Sequence, residues 1–174
     1  TVPMLNGRTI CLRNIDIKKI FELIDKYEVT HFGGAPIVLN MITGAPESDR
    51  KKLKHKVYVL TAGAPPPSII FKKMKSLGFE VMHVYGLTET YGHVTQCAWN
   101  DSWNELEEEK QNEIKARQGV RYPNTEGVTI MNPETMMEVP RDGKTIGEIM
   151  IRGNVVMKGY FKDKNATDKS MKGG

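Results

Sequence analysis

Three side chains of different chemistry and a glycine fall close together in Tyr85-Gly86-Leu87-Thr88-Glu89-Thr90-Tyr91-Gly92. Tyr85 can stack on a flat heteroaromatic group. Gly86 lets a ligand come close to the backbone. The Thr88 hydroxyl can donate to a phosphate oxygen. Glu89 can hold Mg²⁺, a cation that takes one or two protein carboxylates and completes its shell with substrate phosphates and water. The same residues also suit an ordinary turn after a strand. A second stretch, Thr61-Ala62-Gly63-Ala64-Pro65-Pro66-Pro67, makes a rigid, low backbone wall able to pack against a purine. It serves equally as a strand-to-helix turn that needs glycine and proline. In the third, Thr30-His31-Phe32-Gly33-Gly34-Ala35-Pro36, His31 or Gly33 can line a pocket. A lone histidine beside a strand is more often a satisfied core residue.

Other chemistries lack their residues. The four histidines form no HxxxH pair with an acidic partner, which argues against zinc. No GxSxG elbow and no GxGxxG loop occurs. Cys11 and Cys97 lack CxxC spacing and favour a reducing compartment.

The elements around these stretches are predicted from period and punctuation. Asp16 can cap a helix whose apolar residues Ile17, Ile20, Phe21, Ile24 and Tyr27 share one face. Residues 29–32 read as a strand, and Pro36 opens a helix to about residue 42. Residues 57–60 read as a strand, 68–77 as a helix closed by Gly78, and 79–84 as a third strand. Strands alternating with helices predict a parallel sheet with crossover helices. Ligands on such sheets lie beyond the carboxyl ends of the strands, where the three stretches above begin. The second half is predicted to hold a charged surface helix over 105–117, strands over 127–131, 145–152 and 155–160, and turns at 132–135 and 141–143. It reads as a small β-rich layer. The methionines Met131, Met136 and Met137 read as packing residues.

Composition bounds the rest. The 174 residues are 39% hydrophobic and 26% charged, which excludes a disordered chain. No apolar run approaches the roughly 20 residues of a membrane helix. The net charge of +4 is mild. The basic run over 50–56 has no interleaved aromatics, so it reads as a solvated loop or helix end rather than a nucleic-acid surface.

Four stretches, in order, resemble the adenylate-forming (AMP-binding) superfamily, in its acyl-CoA synthetase branch. Thr61-Ala62-Gly63-Ala64-Pro65 resembles the family's adenine wall, and Tyr85-Gly86-Leu87-Thr88-Glu89-Thr90 its most diagnostic internal motif. Gly147-Glu148-Ile149-Met150-Ile151-Arg152-Gly153-Asn154 with Met157-Lys158-Gly159-Tyr160 resembles its glycine-bounded strand motif. Val29-Thr30-His31-Phe32-Gly33-Gly34-Ala35-Pro36 is similar to the branch that activates fatty, short-chain or aromatic acids as CoA esters.

The resemblance implies an α/β fold, part of the family's large N-terminal domain, with an α/β subdomain over 1–118 and a β-rich segment over 119–174. It implies ATP/AMP, Mg²⁺ and coenzyme A as cofactors, and a small carboxylic acid as substrate. Ala62, Gly63, Ala64 and Tyr85 are expected at the adenine, Gly86 beside the cofactor and facing the acyl group, Thr88 at phosphate and Glu89 at the metal, with Thr88 and Glu89 as the catalytic residues. His31, Gly33, Leu87, Thr90, Tyr91 and Gly92 are expected around the acyl group. The family's phosphate loop is expected before Thr1, and its ribose aspartate and C-terminal domain with the catalytic lysine after Gly174. The chain is therefore expected to be an internal piece, inactive alone. No nucleic-acid partner is expected, and the compartment is expected to be the cytoplasm, with the peroxisome left open. The alternatives are an amino-acid adenylation domain, against which stands the want of an aspartate at the strand ends, and a non-catalytic nucleotide-binding remnant.

Overall fold

A computed structural model describes residues 2–173. They form two compact units: the described residues up to His83 with Trp99–Arg117, and Val84–Ala98 with the described residues from Gln118 onward.

In the first unit, helix α1 (Ile17–Tyr27) starts where the Asp16 carboxylate accepts from the Lys19 N–H at 2.9 Å. Such a cap is worth about 1 kcal/mol. Strand β1 (His31–Gly33) follows, then α2 (Pro36–Gly44), β2 (Val57–Thr61) and α3 (Ser68–Ser76). Strand β3 (Phe79–Leu87) begins in this unit. β1 pairs in parallel with β2, and β2 with β3, in the register Val57↔Phe79 to Thr61↔His83. Helices and sheet meet over one core, built from Phe21, Ile24, Leu39, Val59, Phe71 and Phe79 among others. Strand β2 alternates strictly: Val57, Val59 and Thr61 are buried, while Tyr58 and Leu60 face solvent. Helix α4 (Glu108–Lys115) packs on α3, and Lys72 pairs with Glu108 at 3.2 Å. Buried His83 ties β3 to the end of α4, its Nδ1 lying 3.2 and 3.1 Å from the Ala116 and Arg117 carbonyls. The basic run is a loop whose Lys51 and Lys54 both pair with Asp25.

The second unit is β-rich. The end of β3 pairs antiparallel with β4 (Gly92–Gln96), and β4 with β5 (Val120–Arg121). Val84 and Val94 are buried there. Strands β6 (Gly127–Met131) and β7 (Glu148–Arg152) form a separate antiparallel pair. Helix α5 (Lys164–Ser170) is capped by the Asp163 carboxylate, which accepts from the Ala166 N–H at 2.9 Å.

The α/β class and the crossover helices stand as expected. The sheet, however, is mixed: β4 and β5 run antiparallel. Residues 85–87, expected in a loop, belong to β3. The predicted strand over 155–160 is a run of turns, with Gly159 at φ +149°. The predicted helix over 105–117 breaks at Leu106 into a 3-10 turn, Asp101–Glu105, and α4; its face is not all solvent, since Asn112 and Ile114 are buried. The strand predicted from 145 begins at Glu148. Met137 is not a packing residue; it is 70% exposed.

Candidate functional site

The β3–β4 hairpin carries Tyr85 through Gly92 and is set by two close contacts. At Gly86 the pairing register shifts, and the strands come so near that an added Cβ would sit 2.0 Å from the Gly92 carbonyl oxygen and 2.5 Å from the His93 Cα. The atom that approaches Gly86 is thus its neighbouring strand. Beyond Leu87 the chain makes one 3-10 turn, Thr88–Thr90. The buried Thr90 hydroxyl accepts from the Leu87 N–H at 3.0 Å. Its own proton faces the Leu87 and Gly92 carbonyls at 3.0 and 2.9 Å. Thr90 therefore holds the turn closed. Tyr91 leaves it in the left-handed region, φ +52°, with its ring 91% exposed. A bulky side chain rarely adopts that backbone, and such strain concentrates at functional sites.

The turn presents two groups of different status. Thr88 is exposed. Glu89 is half-buried and gripped twice: its carbonyl accepts from the Met157 N–H at 2.7 Å, and its carboxylate Oε1 accepts from the Tyr160 hydroxyl at 2.9 Å. The hydrogen bond to Glu89, then desolvation, raises the phenol's pKa above its ordinary value. Glu89 Oε2 has no protein partner among the described residues. Nor, among those residues, is there any cluster of three His, Cys, Asp or Glu side chains able to hold a metal ion. A single open carboxylate oxygen fits a Mg²⁺ that keeps most of its ligands as water and substrate phosphates. Behind the turn, His93 lies edge-on to Tyr122, ring centroids 4.1 Å apart, and burial lowers its pKa.

In the first unit, Ala62, Gly63 and Ala64 follow directly on β2. Ala62 is half-buried, and Gly63 and Ala64 are exposed. Gly63 has φ +95° with open space around it, so its demand for glycine is one of backbone conformation. The preceding Thr61 is fully buried, and its hydroxyl has no hydrogen-bond partner among the described residues. His31 and Gly33 lie on the wall of a cleft of about 1070 Å³, beside Phe32 and Val38. His31 is not a core residue: it is exposed and stacks on Tyr58 at 5.0 Å. The Gly34 N–H reaches the Leu60 carbonyl at 3.0 Å, which joins the ends of β1 and β2.

The structure thus gathers Tyr85, Gly86, Leu87, Thr88, Glu89, Thr90, Tyr91 and Gly92 on one hairpin. It places Ala62, Gly63, Ala64, His31 and Gly33 at the ends of parallel strands. Sequence reasoning missed the hold of Met157 and Tyr160 on Glu89. That contact spans 71 positions, and no local pattern announces it.

A parallel α/β core followed by this hairpin defines the N-terminal-domain fold of adenylate-forming enzymes. The solved N-terminal domain of FACL13 from Mycobacterium tuberculosis has that fold, with a TM-score of 0.79 at 24% identity over 99% of this chain and 41% of its own. So does o-succinylbenzoate coenzyme A synthetase from Bacillus subtilis, solved with ATP and magnesium ion: TM-score 0.67 at 21% identity over 91% of this chain and 30% of its own. Residues 1–161 match the AMP-binding enzyme family, and the chain belongs to it. The chain is 49% identical to the peroxisomal acetate/butyrate–CoA ligase of Arabidopsis thaliana over its whole length, and 50% identical to an acetate–CoA ligase of Humulus lupulus over 97% of it. It spans 31% and 30% of those relatives' lengths. Among the described residues no helix is long and apolar enough to cross a membrane.

Proposed function

We propose that this chain forms the nucleotide- and metal-binding part of an AMP-forming acid–CoA ligase acting on a short-chain carboxylic acid. The observation that carries the reading is the turn Thr88–Thr90, locked by Thr90, which holds Thr88 exposed and one Glu89 oxygen open. The choice of acid rests on the acetate and butyrate ligases at about half identity.

In the first half-reaction a carboxylate oxygen of the acid attacks the α-phosphorus of ATP. The bond to pyrophosphate breaks, and an acyl-adenylate forms. In the second, the sulfur of coenzyme A attacks the acyl carbon, the carbon–oxygen bond to AMP breaks, and the thiol proton passes to solvent. An anionic carboxylate reaches the polyanionic triphosphate only if that charge is offset. A bound Mg²⁺ supplies that charge. Glu89 would hold it through Oε2, and the Thr88 hydroxyl would donate to an α-phosphate oxygen. In the second unit Tyr85 would stack on the adenine, while the open side of Gly86 is taken up by β4; in the first unit Ala62, Gly63 and Ala64 would form a wall suited to a purine. In the second unit Leu87, Tyr91 and Gly92 would border the acyl group; His31 and Gly33 line the cleft of the first unit. The Thr90 hydroxyl is committed to the turn, so its part at the acyl group is confined to its methyl. The ligase would work in the cytoplasm or, as its Arabidopsis relative's name suggests, the peroxisome.

The test is acyl-CoA formation by a full-length ligase carrying these residues, with acids from acetate to long-chain and aromatic. The reading expects ATP-dependent thioester and AMP, fastest for the short acids. Absence of ATP turnover with every acid would favour a non-catalytic nucleotide-binding protein. Turnover confined to amino acids would favour an amino-acid adenylation enzyme.

A further inference from the structure

We infer that Tyr160 is a positioning residue for the Glu89 carboxylate, and that residues 157–160 form a clasp presenting one oxygen of Glu89 to the metal-bound nucleotide. The inference rests on the proposed role of Glu89 as the metal carboxylate.

Glutamate has three side-chain torsions, so a half-exposed Glu89 free of contacts would sample many positions. Here both of its ends are held. The Met157 N–H fixes the carbonyl at 2.7 Å, and the Tyr160 hydroxyl fixes Oε1 at 2.9 Å. The donor is itself held in place. The Tyr160 N–H donates to the Thr167 hydroxyl at 2.9 Å, and that hydroxyl donates to the Asp163 carbonyl at 2.7 Å. Asp163 in turn caps α5. Gly159, at φ +149°, lets the chain pass Thr167 so closely that an added Cβ would sit 2.6 Å from the Thr167 methyl. The phenol thus comes from a built turn, 71 residues away in sequence, and takes up one oxygen while leaving the other. Partners that orient a metal ligand typically change metal affinity or activity by 10–100-fold when removed. Tyr160 is 42% exposed, so Tyr160→Phe removes the hydroxyl and little packing.

The test is Mn²⁺ binding by electron paramagnetic resonance, on a full-length ligase carrying these residues, with a non-hydrolysable ATP analogue present. Circular dichroism melts confirm that each variant is folded. Wild type, Tyr160→Phe, Glu89→Gln and the double variant are compared. The clasp predicts that Tyr160→Phe weakens Mn²⁺ roughly tenfold or more. It also predicts that Glu89→Gln weakens it further and that the double variant equals Glu89→Gln. In turnover, Tyr160→Phe should raise the KM for the metal nucleotide more than it lowers kcat. If Glu89→Gln weakens Mn²⁺ and Tyr160→Phe does not, the clasp is wrong and the Glu89 role survives. If Glu89→Gln leaves Mn²⁺ affinity intact, the Glu89 role itself is wrong, and the clasp falls with it.

Discussion

Gly86→Ala should damage the hairpin far more than its one added methyl suggests. An alanine Cβ would lie 2.0 Å from the Gly92 oxygen, 2.5 Å from the His93 Cα and 2.7 Å from the Gly92 carbonyl carbon. Ordinary carbon contacts are near 3.5–4.0 Å. All three atoms are backbone, so no rotamer change relieves the clash; the strands must part by more than about 1 Å. Overpacking of this kind costs about 1–3 kcal/mol. Parting the strands also strains the pairs Gly86↔His93 and Leu87↔Gly92, at about 1 kcal/mol for each hydrogen bond lost. The sum is about 3–5 kcal/mol, a large share of the 5–15 kcal/mol of a whole domain. Gly63→Ala is the matched control. It meets no atom within 4 Å but keeps φ +95°, so it should cost only about 1–2 kcal/mol. The assay is urea denaturation of both variants, with amide exchange at Leu87 and His93. The steric reasoning fails if Gly86→Ala is no less stable than Gly63→Ala, or if exchange at the hairpin is unchanged.

Two further outcomes follow from the same hairpin. Thr90→Val keeps the shape of the side chain but leaves the Leu87 N–H without its acceptor, so it should cost about 1–3 kcal/mol, whereas Thr90→Ser should retain most of the stability; melting temperatures of the three proteins decide. His93 is pushed below its ordinary value of 6.5 by burial. The unfolded chain therefore takes up this proton at a higher pH than the folded one, and stability should fall as pH drops from 6.5 through the folded value. His93→Phe should flatten that part of a stability-versus-pH curve, and an unchanged slope would count against a partly buried, neutral imidazole.

The helices of the first unit were legible because their ends carry their own signals. Asp16 caps α1, Pro36 opens α2, and Gly78 takes the left-handed φ of +92° after α3. β4 was not legible. Its pattern of glycine, histidine and threonine around Val94 looks like a polar loop, yet Thr95 is buried and pairing with β3 and β5 makes a strand of it. The opposite error fell at 155–160, where Val155 and Val156 favour a strand but Gly159 and the Thr167 contact impose turns. At the candidate site, residue type and neighbours single out Thr88 and Glu89 as the proposed pair. What holds them could not be read that way. Thr90 acts through three backbone groups of its own turn, and Tyr160 through a contact 71 positions away.

Glu89 is proposed to serve ATP activation from a turn that stays folded without its charge. ATP–pyrophosphate exchange by a full-length ligase carrying these residues, wild type against Glu89→Gln, tests it most directly. Exchange should fall on the order of a hundredfold or more, as when one charge-stabilising group is lost at a transition state, with the melting temperature little changed. Exchange at the wild-type rate in the folded variant would exclude that role for Glu89.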